Sequence, residues 1–525
     1  MADEASQSLS LNILVDEETN RVVFAESNND FVDVLFSLMT MPIGTIIRLS
    51  REQASKWEIG CLNNLYESIE NFDDKHLQTV ECKDMLLHPR SAAEIYCRNL
   101  KLNSVHSTTN EYYACGYETT QCTLFLYRTA HCRCGRPIKY MVKLNRKSVP
   151  PVGGVFVKPT SRVMITDDFQ LLPVSTMTCL TLLKELGAVD GSTIKERCIN
   201  IGKDEVLKLF KASLTSTAPF SETFLESQDK KTSFAIHHGE LSPRSTIESQ
   251  RTMDTTRSKA VKIAFKLIIN KCNNRALYVE AREDFVNLIN GFLTFPLGYV
   301  FKEFPCLSLR GCLANLYKSI LALDVDEFLK SEEMKATLVN PKLPHGLAYN
   351  KLLIPIEEAL YPSLSTVSSL FGVSYFNLTE ATTGERFMKG PSKYMVTDNL
   401  TITPLSPLSI LSLINKLNIP FSDIVEQEVT IGEKEALRLL EAALVSRSAL
   451  TDAFILKEPK QEPQESEKLS SGTRSVAVEL AGDVEGGDEA NEAEAHVEDD
   501  DGRDLESSAM PTGLDPLFDE DDDWD

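Results

Sequence analysis

The stretch Asp30-Phe-Val-Asp-Val-Leu-Phe-Ser-Leu-Met-Thr-Met-Pro-Ile-Gly44 returns as Asp284-Phe-Val-Asn-Leu-Ile-Asn-Gly-Phe-Leu-Thr-Phe-Pro-Leu-Gly298. Each copy predicts a helix. Asp30 and Asp284 are the expected N-caps, because a carboxylate there accepts hydrogen bonds from the free amides of the first turn. Apolar residues fill more than one face, so the helix should be deeply buried. Pro42 and Pro296 should end it, since proline cannot continue the backbone ladder.

Two further blocks recur in the same order. Gly60-Cys-Leu-Asn-Asn-Leu-Tyr-Glu-Ser-Ile69 returns as Gly311-Cys-Leu-Ala-Asn-Leu-Tyr-Lys-Ser-Ile320, with eight of ten positions identical. Cys61, Leu62, Leu65, Tyr66 and Ile69 fall at helical spacing, which places both Cys61 and Cys312 in a core. Residues 156–225 match 387–456, and each reads as a strand and turn, a serine-capped helix, a short strand and a second helix. A β-hairpin precedes the signature helix in both copies: short apolar runs flank Asp16-Glu-Glu-Thr-Asn20 in the first and a Lys-Cys-Asn-Asn-Arg turn in the second. The fold class is therefore α+β, with two tandem units at 8–225 and 261–456.

Residues 226–260 are rich in Ser, Thr, Gln and charge and read as a linker, so a protease should cut there and release two folded fragments. Phe31 and Phe285 are 254 residues apart but Phe156 and Phe387 only 231. The second copy thus lacks 23 residues, around Cys115 to Val142. This assigns 112–150 as a cysteine-containing β-ribbon insertion of the first unit.

The hairpin run Asn20-Arg-Val-Val-Phe-Ala-Glu26, the signature helix, the Gly60 block, and Ile201-Gly202 with Lys211-Ala-Ser-Leu-Thr-Ser216 resemble a plant-specific family. That family is filed as a domain of unknown function and is often present in tandem. The resemblance covers roughly residues 8–456 and implies no activity.

Charge is unevenly placed. Of the net −23, residues 457–525 carry −19, with 24 acidic and 5 basic residues, so 1–456 is near neutral. This tail is poor in aromatics and should be disordered. Its segment Gly513 to Asp525 sets Leu514, Leu517, Phe518 and Trp524 among acids, as a short motif for a protein partner would. No run of 18 apolar residues occurs, so no membrane insertion is expected. The polar N-terminus is not a secretory signal, which predicts an intracellular protein, cytoplasmic or nuclear, with reduced cysteines.

Cys115, Cys122, Cys132 and Cys134 are the metal candidates. Four thiolates within 20 residues could hold one structural zinc in a closed tetrahedron, although the spacing is wider than usual, and His131 could replace one of them. The alternative is four thiols without metal. From 119 to 166 there are nine basic residues and no acidic one, with Tyr127 and Tyr140 interleaved, a pattern suited to nucleic-acid phosphates and bases. The alternative is a solvated face, or a docking surface for the chain's own acidic tail. No phosphate loop, dinucleotide fingerprint or nucleophile elbow is present. Asp167-Asp168 reads as a turn, and His88 and His237-His238 lack a shared or fixed setting. No catalytic or cofactor-binding residue is assigned. The leading reading is a binding or scaffold protein. A nucleic-acid-associated regulator and an enzyme with a site between the units are the rivals.

Overall fold

The computed structural model describes residues 8–51, 58–102, 110–116, 124–128, 136–145, 154–159, 162–187, 191–225, 262–305, 307, 311–344, 347, 353–359, 372–377 and 387–456. The linker, the tail with its aromatic motif, and His131, Arg133, Arg146 and Lys147 lie outside them. The first half runs β1 (Leu9–Asp16), β2 (Arg21–Ser27), α1 (Asn29–Ser37), α2 (Ile43–Arg51), α3 (Leu62–Glu70), α4 (Val80–Leu87), α5 (Glu94–Cys97), β3 (Glu111–Ala114), β4 (Tyr140–Asn145), β5 (Val163–Thr166), β6 (Leu171–Pro173), α6 (Thr176–Glu185), β7 (Ile194–Ile201), α7 (Lys203–Thr215) and α8 (Pro219–Phe224). The second runs β8 (Ile263–Asn270), β9 (Arg275–Arg282), α9 (Glu283–Gly291), α10 (Leu297–Glu303), α11 (Leu313–Ala322), α12 (Glu332–Val339), β10 (Gly372–Asn377), β11 (Lys393–Thr397), β12 (Ile402–Pro404), α13 (Pro407–Leu417), β13 (Ile424–Ile431), α14 (Glu433–Val445) and α15 (Ala449–Phe454).

The chain is α+β. Two antiparallel five-stranded sheets have matching orders, β6-β5-β2-β1-β7 and β12-β11-β9-β8-β13. Each central hairpin carries an irregularity at the same place, Leu14/Val15 and Ile268/Ile269. Alternation explains the faces: Leu9, Leu11, Ile13 and Val15 are buried while Ser10 and Asn12 point to water. The hairpin turns close on Asn20 and Asn274, both left-handed at φ 50, a conformation that asparagine tolerates. Asp16 and Asn270 accept the amides of Glu18 and Cys272 within those turns.

The signature helices are buried as expected, with Phe31 and Phe285 fully inaccessible, but their ends differ from the sequence reading. The first cap is Asn28, whose Oδ1 accepts from Phe31 N at 3.5 Å. Asp30 sits inside the first turn and pairs with Lys101. At the second helix Arg282 occupies the cap position with no side-chain bond, and Asp284 is again in the first turn. A helix that starts one or two residues early turns an expected cap into a dipole partner. The α-helices stop at Ser37 and Gly291, and single 3-10 turns follow. Pro42 and Pro296 then separate those turns from α2 and α10. The serine caps do hold: Ser175 and Ser406 accept from Thr178 N and Ser409 N.

The two halves interlock. Pro42 and Pro296 face each other in an antiparallel bridge, where Ile43 N donates to Phe295 O and Leu297 N to Met41 O. Helix α3 of the first half starts against α14 of the second, with Cys61 N donating to Ala443 O at 2.9 Å. Helix α11 does the same to α7, with Cys312 N donating to Ser213 O at 2.9 Å. One hydrophobic core runs through both halves, and the described residues form one compact unit. This arrangement leads us to expect that the halves stay associated after a cut in 226–260, because each would otherwise expose the surface its partner covers.

Candidate functional site

The described part of the ribbon is a three-stranded sheet built by both halves, in the order β10-β4-β3. Cys115 follows β3 and is buried, packed with Phe125, Ile138 and Tyr113. Cys122, Cys132 and Cys134 lie outside the described residues. Among the described residues no three His, Cys, Asp or Glu side chains are grouped to hold a metal. Tyr127 cannot stack on a base, because it is buried and its hydroxyl accepts from Arg90 N at 2.6 Å. Tyr140 begins β4. Several cations of the basic stretch are engaged locally: Lys143 pairs with Glu111, Arg162 with Glu26, and Lys158 donates to Asp326 O.

The sequence reading missed the group that holds this ribbon in place. Glu94 is the first residue of α5 and Arg90 lies four residues before it, and both are buried. Arg90 Nε and Nη2 donate to the Glu94 carboxylate at 2.8 and 2.6 Å. Its Nη1 donates to Glu111 O at 2.9 Å and Leu126 O at 2.7 Å. Tyr112 lies under the guanidinium, 4.9 Å from ring centroid to Cζ, and its hydroxyl donates to Glu94. Burial by itself opposes the charge on Arg90, but the Glu94 carboxylate outweighs it and raises the pKa. Burial and Glu94 push the Tyr112 phenol up to about 12. An Arg and a Glu at i, i+4 spacing were the available signal, but nothing in the sequence marked the pair as buried.

Most other buried carboxyl groups tie backbone segments. Asp33 accepts from the amides of Val155, Phe156 and Val157. At the corresponding place Asn287 Oδ1 accepts from Phe387 and Met388. Asp167 accepts from Ser221, and Asp398 from Thr451, each through backbone and hydroxyl. Asp168 belongs to its turn, bonded to Thr166 and Gln170. His88 is exposed and contacts Asp84. His237-His238 lies outside the described residues. Cys61 packs as expected, and burial pushes its thiol up to about 12.

Burial pushes the Asp33 carboxyl up to about 6, against the pull of its three amide donors. Its folded pKa thus exceeds the unfolded value of about 3.9. The proton is bound more tightly in the folded chain, so this group's contribution is full below about pH 4 and lost as pH rises through about 6. Asp33→Asn should fold, because Asn287 makes the equivalent contacts, and should remove a slope worth at most about 3 kcal/mol. Urea titrations of both proteins from pH 4.5 to 7 check this; identical slopes would refute it.

An open cleft of about 520 Å³ lies between the halves, lined by Asn64, Glu67, Asn71, Asp73, His76 and Thr403 among others. The Lys75 ammonium beside Asp73 holds that exposed carboxyl below its usual range. A second open cleft, about 760 Å³, lies beneath α6. Helix α6 buries none of its side chains and α13 only Ile414. Large apolar residues therefore face water on both outer helices and the turns beside them. Val174, Met177, Leu180 and Leu186 do so on the first sheet, and Leu408, Leu411, Leu417 and Phe421 on the second. Met177 is 69% exposed, Phe421 67% and Leu408 80%.

No helix among the described residues is long and apolar enough to cross a membrane. Residues 5–434 match a family described as protein of unknown function (DUF674), and the chain belongs to that family. No curated protein and no solved structure matches it.

Proposed function

We propose that this DUF674 protein is an intracellular binding or scaffold protein that presents the outer faces of α6 and α13 to protein partners. The observation behind this reading is the clustering of exposed apolar side chains at the same place on both sheets, since soluble proteins rarely expose such patches without use. The buried carboxylates and the Arg90 guanidinium are already bonded within the fold, which favours a structural over a chemical role for them. Proximity labelling with wild type and with Leu408→Glu/Leu411→Glu tests the proposal. Partners enriched by wild type should be lost in the variant, whose melting temperature should hold because both side chains are exposed. An unchanged partner set would refute it.

The nucleic-acid reading draws on residues 119–166 and on Lys143, which lies 5.5 Å over the exposed Phe376 ring on the ribbon's outer face. It requires salt-sensitive binding to single strands that Phe376→Ala weakens; binding indifferent to both ends that reading. The enzyme reading would need a titrating group shifted toward neutrality in the cleft between the halves.

The zinc reading of Cys115, Cys122, Cys132 and Cys134 goes with the scaffold, as a staple for a small segment with little core. Elemental analysis of the purified full chain should find about one zinc, as one closed four-cysteine site requires. Cys132→Ser should lower that content without unfolding the rest. Metal-free protein with rapidly alkylated Cys122, Cys132 and Cys134 would end the idea.

A further inference from the structure

The backbone, Asn and Ser contacts at the centre of the interface between the halves come in two-fold pairs. Cys61 N and Cys312 N each bond a carbonyl of the other half at 2.9 Å. Asn64 Nδ2 donates to Asn399 O, and Asn315 Nδ2 to Asp168 O, both at 3.0 Å. Ser68 Oγ accepts from Ile402 N at 3.0 Å, and Ser319 Oγ from Leu171 N at 3.1 Å. Gln78 N bonds Phe387 O and Lys389 N bonds His76 O, while Lys330 N bonds Phe156 O and Lys158 N bonds Phe328 O. Strands β4 and β10 close the set, paired antiparallel from Tyr140↔Asn377 to Asn145↔Gly372.

In these paired contacts the side chains are the same residue type on both sides, Asn with Asn and Ser with Ser, and the rest is backbone; at the exposed edges Arg447 with Glu58 and Tyr96 with Glu333 add unpaired contacts. Such an interface is isologous, and it closes equally well whether the two surfaces belong to one chain or two. The largest difference between the sides is β3, which has no counterpart among the described residues of the second half. Pairing of first half with second half preserves the three-stranded sheet, so complementary rather than like-with-like pairing is favoured.

We infer that this interface also accepts the complementary half of a second copy. The chain then forms exchanged dimers in which each first half pairs with the other chain's second half. Within one chain the 226–261 connection holds the halves at an effective concentration in the millimolar range, so the closed monomer prevails in dilute solution. Crowding of copies, or a connection too short to span, shifts pairing between chains. The inference is independent of the docking role given to α6 and α13.

The test uses two full-length preparations with different affinity tags, refolded together from denaturant and also co-expressed. Tandem purification and native mass spectrometry should find mixed-tag dimers whose ratio to monomer rises about tenfold for a tenfold rise in concentration, by mass action. Mixing the already folded proteins briefly should give none. Removing residues 230–255 from the full chain should make the dimer the main species. The Leu408→Glu/Leu411→Glu substitutions should leave mixed dimers intact, which separates exchange from association through the outer helices. Strictly monomeric protein in both the refolded and co-expressed samples, with the shortened chain also monomeric, overturns the inference. So do mixed dimers that those glutamates abolish.

Discussion

Gly311→Ala should destabilise the protein by about 3 kcal/mol or more, among the larger single-residue effects. A Cβ at Gly311 would collide with the carbonyl oxygen of Ser213 and the backbone of Leu214 in the other half. The obstacle is backbone, held by the Cys312 N bond to the same carbonyl, so it cannot swing aside as a side chain would. Relief requires α11 to lift off α7, which loosens the core that both halves share. Gly60→Ala meets Ala443 and Leu444 in the same way and also forces a left-handed backbone, φ 46, on alanine, adding about 1 kcal/mol. Gly291→Ala is the control. Its Cβ would meet nothing within 4 Å and its backbone is helical, so it should be neutral or gain about 0.5 kcal/mol. Urea unfolding of the three variants checks the ranking. A Gly311→Ala protein as stable as Gly291→Ala would mean that the close approach of the halves is wrong.

Glu94→Ala should cost about 3–5 kcal/mol, because it strands a buried guanidinium without its counter-charge. Arg90→Lys should also be costly. An ammonium cannot reproduce the fork that binds one carboxylate and two carbonyls together. The double variant Arg90→Met/Glu94→Leu should lose less than the sum of Arg90→Met and Glu94→Leu, since an apolar pair leaves no buried charge behind. The loss should be local at first. Hydrogen exchange should rise in β3, β4 and 124–128 before it rises in the five-stranded sheets. Strict additivity, or equal loosening everywhere, would show that Arg90 is not the ribbon's anchor.

Much of this fold was legible because local rules agreed with one another. The short apolar runs on either side of Asp16-Glu-Glu-Thr-Asn20 predicted the β-hairpin. Ser175 and Ser406 were readable as caps because a serine followed by a helical period has few other uses. The Asp30 and Asp284 caps were misplaced because several polar residues precede each helix, and only backbone geometry picks Asn28 over Asp30. Burial of both signature helices suggested that the halves pack closely, but the particular contacts between them were not legible. Gly60 and Gly311 signal a tight approach, but a sequence does not say to what. Asn290 is the clearest case: fully buried with neither amide atom bonded, it stands where the first half has buried Phe36. It sits on the signature helix that was expected to be buried, yet an unpaired amide in a core costs about 1–3 kcal/mol and no local rule predicts it. The exposed apolar faces of α6 and α13 escaped notice for the opposite reason, since an apolar stripe on a helix normally signals burial.

The two halves form one interlocked body rather than two beads on a string. A protease site placed within 226–261 of the full chain, cut after folding and followed by native mass spectrometry, tests it most directly. The cut protein should keep the mass of the intact chain plus one water as a one-to-one complex, with an unfolding transition shared by both fragments. Two fragments that separate on dilution, each retaining its own cooperative transition, would contradict it.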